Sequence, residues 1–244
     1  MKLLADLFFD LDRTLWDFDR NSREALRGLF RDSKVADLTR EAGEEVDEAT
    51  FIRAYEFENE RLWAAYRKGE LTKAELRPIR FHKALVRCGV NAQAVPPGWA
   101  DEAGTAYVER SPRIPHLIPG AIEAVMSLRE QGHRMFILTN GFEEVQAIKM
   151  ECSGLNPFFD AVFTSDALGV KKPDRRIFDA VLQATGSRAD RAIMIGDDLE
   201  CDVVGAREAG WPQVYYNRHA RSNKEQVWRT VTNFEQLLKI PLEA

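Results

Sequence analysis

The stretch "LLADLFFDLDRTLWDF" (residues 3–18) decides how the rest of the chain folds. An apolar run, interrupted only by Asp6, leads directly into Asp10 and Asp12. In a strand, side chains two residues apart project to the same side, so we expect these two carboxylates to point together. Two like charges about 4 Å apart repel by roughly 4 kcal/mol at an effective dielectric near 20. Such a pair at the end of a buried strand indicates a site that supplies compensating charge.

The second half of the chain alternates short apolar runs with amphipathic segments. The runs lie at residues 134–138, 160–164, 192–195 and 213–216, and helices are predicted near 120–131, 142–153, 174–185 and 199–209. With the first run, this pattern predicts at least five strands in a parallel sheet covered on both faces. The expected fold class is α/β, a doubly wound parallel sheet of Rossmann-like type.

Residues 18–114 differ from this pattern, because they show helical spacing and no convincing strand. Ser22 and Thr72 are candidate helix N-caps, and Thr72 with Glu75 matches a capping box. Candidate helix ends are Gly69 and Gly89, and candidate turns or hinges are "AVPPG" (94–98) and "SPRIP" (111–115). We therefore expect a core domain of residues 1–17 and 115–244, with a helical cap domain of residues 18–114 inserted after the first strand.

The bulk composition excludes several classes of protein. The 244 residues are 45% hydrophobic and 30% charged with a net charge of −5, which is ordinary for a globular protein and argues against a nucleic-acid partner. Three separated cysteines suggest a reducing compartment: Cys88, Cys152 and Cys201. No signal peptide or membrane-length apolar run is apparent, so we expect a soluble cytoplasmic protein without a membrane partner.

Polar sequences follow four of the five predicted strands. They are Asp10 and Asp12 after the first run, "TNG" (139–141), "GVKKPD" (169–174) and "GDDLECD" (196–202). Because ligands collect at the carboxyl ends of parallel strands, we expect all four to share one edge of the sheet. The P-loop and dinucleotide-binding glycine patterns are absent, which argues against a nucleotide-triphosphate motor or a dehydrogenase.

These sequences together resemble the motifs of the haloacid dehalogenase-like hydrolase superfamily. Its DxDx[TV] motif is matched by Asp10-Leu11-Asp12-Arg13-Thr14, and its Ser or Thr after a strand by Thr139. Its lysine followed by proline is matched by Lys172-Pro173, and its GDxxxxD motif by Gly196, Asp197 and Asp202. The resemblance implies a hydrolase with a Rossmann-like core and an inserted helical cap.

Each motif suits a step in the hydrolysis of a phosphate monoester. Asp10 is the candidate nucleophile, since transfer to a carboxylate and then to water replaces one difficult step by two easier ones. Asp12 is the candidate general acid and base. Lys172 is preferred to its neighbour Lys171 as a fixed cation, and the Thr139 hydroxyl with the Asn140 and Gly141 amides are candidate phosphate donors.

A Mg²⁺ ion would make the crowded carboxylates tolerable, because this hard cation prefers oxygen ligands. The expected ligands are the carboxylates of Asp10 and Asp197, to which the resemblance adds the backbone carbonyl of Asp12. By resemblance Asp202 braces the site and Asp198 supports it, while Thr14 orders the loop. Helix capping remains the alternative for Asp198, Asp202 and the Thr139-Asn140 pair.

Other candidates have simpler explanations. The four histidines lack paired metal-ligand spacing and are interpreted as structural or solvent-facing: His82, His116, His133 and His219. Trp63 and Tyr66 are interpreted as helix packing. The basic cluster around residue 80 is interpreted as a solvated face or, alternatively, as a cap surface that meets an anionic substrate: Arg77, Arg80, His82 and Lys83.

"LTNGFEEVQ" and the stretch "GLNPFFDAVFTSDALGVKKPDRRIFDAVL" resemble the pyrimidine 5′-nucleotidase branch of the superfamily. That resemblance implies a nucleoside 5′-monophosphate as substrate, including dUMP, dTMP and non-standard pyrimidine nucleotides. The alternatives are a phosphatase of a sugar phosphate or phosphoglycolate, a phosphomutase, a dehalogenase, and a non-enzymatic binding module. The sequence does not indicate the oligomeric state.

Overall fold

A computed structural model describes residues 4–32, 35–41 and 45–242, and within them the core is a six-stranded parallel sheet. The strands are β1 (Asp6–Phe9), β2 (Met135–Thr139), β3 (Ala161–Thr164), β4 (Ala192–Gly196), β5 (Gln213–Tyr216) and β6 (Arg229–Val231). Their spatial order is β3-β2-β1-β4-β5-β6, and every neighbouring pair is parallel. The order runs outward from β1 in both directions, which confirms the doubly wound α/β class.

The inner strands are apolar on both faces because both faces are covered. Leu7 and Phe9 of β1 belong to one buried cluster, whereas Phe8 between them belongs to another. Alternate residues of a strand point to opposite faces, so a single apolar run supplies both layers of the core.

The described helices are α1 (Phe18–Asp32), α2 (Val35–Glu41), α3 (Glu48–Arg67), α4 (Lys73–Arg87), α5 (Trp99–Arg110), α6 (Ala121–Glu130), α7 (Glu143–Cys152), α8 (Ser165–Leu168), α9 (Arg175–Thr185), α10 (Gly205–Glu208) and α11 (Phe234–Leu237). One-turn 3₁₀ helices lie at Ala92–Ala94, Ser111–Arg113 and Asn156–Phe158, and a π-helix lies at Leu199–Val204. None of the described helices has the length and apolar character needed to span a lipid bilayer.

Some elements of the core were not predicted or were predicted with a different form. The strand β6 was not predicted, because it has three residues of which only Val231 is buried, too few to show an alternating pattern. The segment predicted as one helix over 199–209 is divided into the π-helix and α10. The Asp198 side chain accepts from the backbone N–H groups of Glu200 and Cys201, which starts the π-helix directly after β4.

The chain forms two compact units, one of residues 1–18 and 115–244 and the other of residues 19–114. The second unit is helical, and its core joins buried side chains from four helices: Leu26 of α1, Tyr55 of α3, Phe81 of α4 and Tyr107 of α5. Three of these side chains are aromatic, and the Tyr55 ring centroid lies 4.8 Å from that of Phe81 and 5.4 Å from that of Tyr107.

The helical unit confirms one predicted cap and corrects another. The Thr72 hydroxyl accepts from the Glu75 N–H at 3.2 Å, and the Glu75 carboxylate accepts from the Thr72 N–H at 2.8 Å, so the capping box is present. Gly69 and Gly89 follow α3 and α4 with φ of +78° and +98°, as expected for helix ends. Ser22 is not an N-cap, because it lies inside α1 and accepts a hydrogen bond from the Tyr107 hydroxyl at 2.8 Å.

Arg80 corrects the interpretation of the basic cluster as a solvated face. Its side chain is buried, and its guanidinium donates to Asn59 Oδ1 at 3.0 Å. The cation also lies within about 6 Å of the rings of Tyr55, Phe81 and Tyr107. Its three companions Arg77, His82 and Lys83 are half-buried.

Candidate active site

The four polar sequences converge at the carboxyl ends of three adjacent strands. Asp10 directly follows β1, Thr139 is the last residue of β2, and Gly196 is the last residue of β4. Lys172 comes from the segment between α8 and α9, and its side chain reaches back to Asp10. The expected shared edge of the sheet is therefore the place where these side chains meet.

A tight turn that begins at Leu11 carries Asp12. β1 ends at Phe9, and the N–H groups of Leu15 and Trp16 both donate to the carbonyl oxygen of Leu11, at 3.0 and 2.9 Å. Arg13 has a φ of +63°, in the left-handed region that non-glycine residues seldom adopt. Asp10 and Asp12 thus both lie beyond the strand, and the charge of Asp12 contributes to the raised pKa of Asp10.

Lys172 is a fully buried cation at the centre of the site. Its ammonium donates to Asp10 Oδ1 at 2.9 Å, to Asp202 Oδ1 at 2.6 Å and to the Leu138 carbonyl oxygen at 2.6 Å. These three acceptors use all of its donors, and the two carboxylates raise the pKa of Lys172 above its ordinary value despite the opposing effect of burial. Its neighbour Lys171 is half-buried.

The Asn140 side chain holds the backbone of Lys172, a function that the sequence did not suggest. Asn140 Nδ2 donates to the Lys172 carbonyl oxygen at 2.9 Å, and the Lys172 N–H donates to Asn140 Oδ1 at 2.8 Å. This reciprocal pair joins the end of β2 to the lysine segment, and the peptide bond that follows, Lys172–Pro173, is cis.

Three carboxylates form a cluster around this lysine. One oxygen from each of Asp10, Asp197 and Asp202 lies within 4.8 Å of the others. Burial raises the pKa of Asp10 to about 7, with Lys172 opposing the change and Asp202 and Asp12 adding to it. Burial, followed by the charges of Asp10 and Asp202, also raises the pKa of Asp197 well above its usual range. With all three groups ionised, the cluster would carry more negative charge than Lys172 alone balances.

The π-helix after β4 sets the positions of the remaining acidic groups. Asp198 caps that helix, which agrees with the alternative interpretation, and its own N–H donates to Asp202 Oδ2 at 3.0 Å. Thr14 is buried, and its hydroxyl donates to Asp197 Oδ1 at 3.3 Å. A Cβ on Gly196 would lie 2.1 Å from Asp202 Oδ2, so only glycine leaves room for that carboxylate.

The sequence "TNG" forms a turn ahead of α7 and does not cap that helix. The N-cap position belongs to Phe142, and the Gly141 N–H donates to Thr139 Oγ1 at 3.1 Å. Gln146 Nε2 donates to the same oxygen at 3.2 Å. Because both contacts use the oxygen as acceptor, the Thr139 O–H is left to donate to a ligand. The Gly141 N–H, which was expected to bind an anion, already has this partner.

Asp12 has its own donors, which sequence reasoning missed. The Lys149 ammonium lies 2.6 Å from Asp12 Oδ1 and 2.8 Å from Oδ2, and Gln146 Nε2 donates to Oδ2 at 3.0 Å. Gln146 and Lys149 are three residues apart on α7 and share one face of the helix. The three-residue spacing of Gln146 and Lys149 soon after "TNG" could have indicated that both face the site. A lysine on a predicted helix, however, is ordinarily solvated.

The four histidines and the aromatic pair fit structural explanations. His133 is buried, and its Nδ1 lies 2.9 Å from the Ala5 carbonyl oxygen. The Trp63 and Tyr66 rings pack edge to face within α3, with centroids 5.4 Å apart. The carboxylate cluster contains no histidine.

The arrangement can perform chemistry at one carboxylate with the assistance of another. Asp10 is fixed by a buried ammonium, Asp12 is fixed by separate donors, and the acidic cluster offers oxygen ligands. The family model described as haloacid dehalogenase-like hydrolase matches residues 7–210, which include every one of these groups. The chain belongs to this hydrolase family.

Relatives within the haloacid dehalogenase-like hydrolases cover nearly the whole chain. Pyrimidine 5′-nucleotidase YjjG from Escherichia coli is 32% identical over 238 residues, which cover 95% of this chain and 96% of YjjG. Glyceraldehyde 3-phosphate phosphatase from Pyrococcus furiosus is 31% identical over 247 residues, which cover 98% of this chain and 94% of that protein. The crystal structure of the HAD-hydrolase YfnB from Bacillus subtilis, bound to magnesium, superposes with a TM-score of 0.81 at 27% identity and covers 97% of both chains.

Proposed function

We propose that this hydrolase is a Mg²⁺-dependent phosphatase that cleaves phosphate monoesters through a phosphoaspartate at Asp10. The observation that carries the proposal is the Asp10 carboxylate held by the buried Lys172 within a cluster of three acidic groups. Spontaneous hydrolysis of such esters is extremely slow, and enzymes accelerate it by up to on the order of 10²¹-fold. A site for this reaction needs a nucleophile, a proton donor and fixed positive charge.

The proposed reaction has two half-reactions. In the first, an Asp10 oxygen bonds to phosphorus while the ester P–O bond breaks, and the leaving oxygen takes a proton from Asp12. In the second, Asp12 takes a proton from water as the water oxygen bonds to phosphorus. The bond between phosphorus and Asp10 then breaks, which releases inorganic phosphate and restores the Asp10 carboxylate. The Thr139 hydroxyl donates to a phosphoryl oxygen in both half-reactions. Lys172, whose three donors are already bonded, stabilises the negative charge on Asp10 and the phosphoryl group through its fixed positive charge.

The donor set fits Mg²⁺, since the cluster offers carboxylate oxygens, and burial together with the neighbouring carboxylates raises the pKa values of Asp10 and Asp197. Asp10 and Asp197 would hold the ion, together with the backbone carbonyl of Asp12. Both oxygens of Asp202 are already bonded, to Lys172 and to the Asp198 N–H, so we assign Asp202 to bracing the lysine. When bound, the ion would offset the negative charge of the transferring phosphoryl group.

For the leaving group, we propose a pyrimidine nucleoside 5′-monophosphate, with the helical unit acting as the cap that sets substrate selectivity. The likeness to YjjG over 95% of this chain supports this choice. The glyceraldehyde 3-phosphate phosphatase is nearly as similar, which favours a small sugar phosphate as the second candidate. The common chemistry of both candidates is a phosphate monoester of a primary alcohol.

A panel of phosphate monoesters tests this function directly. The protein would be assayed for kcat/KM with Mg²⁺ on dUMP, dTMP, AMP and glyceraldehyde 3-phosphate, and again with EDTA. We expect the highest kcat/KM on a pyrimidine nucleotide, loss of activity in EDTA, and recovery when Mg²⁺ is restored. Asp179→Asn, at an exposed position of α9, is the control for an acid-to-amide change outside the site.

Two results would contradict separate parts of the proposal. A higher kcat/KM on glyceraldehyde 3-phosphate than on the nucleotides would support the proposed phosphatase activity and contradict the proposed nucleotide substrate. Activity that is unchanged in EDTA would contradict the proposed dependence on Mg²⁺.

A further inference from the structure

A second buried lysine, Lys149 on α7, is used by none of the steps above. Its side chain is 6% exposed, and its ammonium contacts both carboxylate oxygens of Asp12. A buried ammonium without a partner is costly, so a lysine at this position must be matched to a charge. Lys172 is matched to Asp10 and Asp202, whereas Lys149 is matched to Asp12.

Aromatic rings restrict where the Lys149 ammonium can lie. Its nitrogen is 4.4 Å from the centroid of the Trp16 ring and 5.9 Å from that of Phe18. Trp16 is fully buried and comes from the same turn that carries Asp12. The ammonium is thus held between an aromatic face and a carboxylate, both of which attract a cation.

Gln146 completes the support for Asp12 from one helical turn earlier. Its side-chain amide donates both to Asp12 and to Thr139, and the residue is 1% exposed. A Cβ on Gly141 would lie 1.6 Å from this amide nitrogen, so the glycine of "TNG" makes room for Gln146. The face of α7 that carries Gln146 and Lys149 therefore acts as a rigid support behind Asp12.

We propose that Lys149 is a positioning residue that orients the Asp12 carboxyl group for proton transfer in the reaction proposed above. The ionised group accepts from Lys149 at both oxygens. The protonated group accepts through its carbonyl oxygen and leaves its hydroxyl free to face the substrate. In both forms at least one Asp12 oxygen is therefore hydrogen-bonded to Lys149. This contact fixes the orientation of the carboxyl group, and so the direction of its hydroxyl, when the proton passes to the leaving oxygen.

The inference rests on the proposed function and predicts a selective loss. A leaving group such as 4-nitrophenolate departs without a proton, whereas the alkoxide of a nucleoside needs one. Since kcat/KM reports on steps up to formation of the phosphoaspartate, a disoriented Asp12 lowers kcat/KM for the nucleotide and spares that for 4-nitrophenyl phosphate. General acid catalysis contributes about 10²–10⁴-fold, so we expect a selective loss of about 10–100-fold.

The test compares Lys149→Met with wild type on the best substrate of the panel and on 4-nitrophenyl phosphate. Lys149→Met keeps an apolar chain against Trp16 and removes the charge, and Lys149→Arg restores a cation and is expected to recover part of the selective loss. Lys239→Met removes the same charge from an exposed position and should change neither kcat/KM. Lys149→Gln removes the charge but keeps a polar side chain at the same position, so it carries the test if Lys149→Met does not fold.

The outcomes separate the two proposals. Equal losses on both substrates, or no loss on either, would overturn the positioning role of Lys149 while the phosphatase stands. Wild-type protein that hydrolyses no phosphate monoester in the presence of Mg²⁺ would overturn the proposed function itself.

Discussion

Asp10 illustrates how the surroundings of a single residue determine its chemistry. Its carboxylate is buried, which raises its pKa to about 7, yet the Lys172 ammonium lies 2.9 Å away and favours the ionised form. A carboxylate in this position is poorly solvated, and poor solvation favours attack on an electrophile. In the proposed reaction, the lysine keeps this ionised form available in a buried site.

At this scale, Asp10→Asn tests the proposed nucleophile. The amide has nearly the same shape and keeps an oxygen, but it cannot form the phosphoaspartate. We expect kcat to fall by about 10⁶-fold, the scale seen when a nucleophile is removed from a catalytic unit. The melting temperature of the metal-free protein should not fall, since one of the crowded charges is gone. Turnover close to that of wild type would show that another group attacks phosphorus.

Among the elements, the π-helix after β4 has the greatest influence on the site. It begins at Leu199, capped by Asp198, and within one turn it places the Asp202 carboxylate on Lys172 at 2.6 Å. π-Helical turns are rare and often occur at functional sites. Gly205 follows the π-helix directly and packs against the segment that carries Lys172. A Cβ on Gly205 would lie 2.8 Å from the Cα of Pro173.

Gly196→Ala tests this close packing between the end of β4 and the π-helix. The new methyl group would overlap Asp202, which is 1% exposed, so the carboxylate must move away from Lys172. Overpacking of this kind costs about 1–3 kcal/mol, and we expect a lower melting temperature together with reduced kcat. Wild-type stability measured by thermal unfolding would mean that Asp202 relaxes without strain.

Thr72→Ala tests an element that is distant in sequence from all the proposed catalytic groups. The capping box at the start of α4 would lose the Thr72 hydroxyl that accepts from Glu75, at a cost of about 1 kcal/mol in the free energy of unfolding. We expect kcat/KM for 4-nitrophenyl phosphate to stay unchanged, because the core unit that carries the site is not altered. If the variant and the wild type unfold at the same denaturant concentration, the Thr72 capping box contributes nothing to the free energy of unfolding.

For the molecule as a whole, the carboxylate cluster predicts that stability depends on pH and, in the proposed function, on metal. The folded protein raises the pKa of Asp10 from 3.8 to about 7, so the folded state binds its proton more tightly than the unfolded state. Stability from this group is complete below about pH 4 and is lost as the pH rises towards 7. Mg²⁺ needs the ionised carboxylates, so its stabilising effect should increase over the same window.

Thermal unfolding from pH 5 to pH 8, with EDTA or with Mg²⁺, measures this link. We expect the increase in melting temperature caused by Mg²⁺ to grow with pH, because fewer protons compete for the cluster. Asp197→Asn removes one proposed ligand and should reduce the increase at every pH. An increase that is equal at pH 5 and pH 8 would contradict the assignment of the ion to this cluster.

Much of the protein follows from local sequence patterns. The apolar runs predicted the five longer strands, and the order of the motifs predicted that Asp10, Thr139, Lys172 and Gly196 lie at one edge. Both predictions hold because parallel strands buried on both faces need continuous apolar runs and their carboxyl ends align. The Thr72 capping box was equally readable, since all of its contacts are made within four residues.

Only the tertiary structure decided how the charges are paired. Lys149 and Arg80 look like solvated residues on amphipathic helices, yet both are buried, beside Asp12 and among aromatic rings respectively. Their partners are Asp12, 137 residues away along the chain, and Asn59, 21 residues away. A local pattern reports which face of an element is apolar. It does not report which distant group meets a charge, because that depends on how elements far apart in the chain pack together.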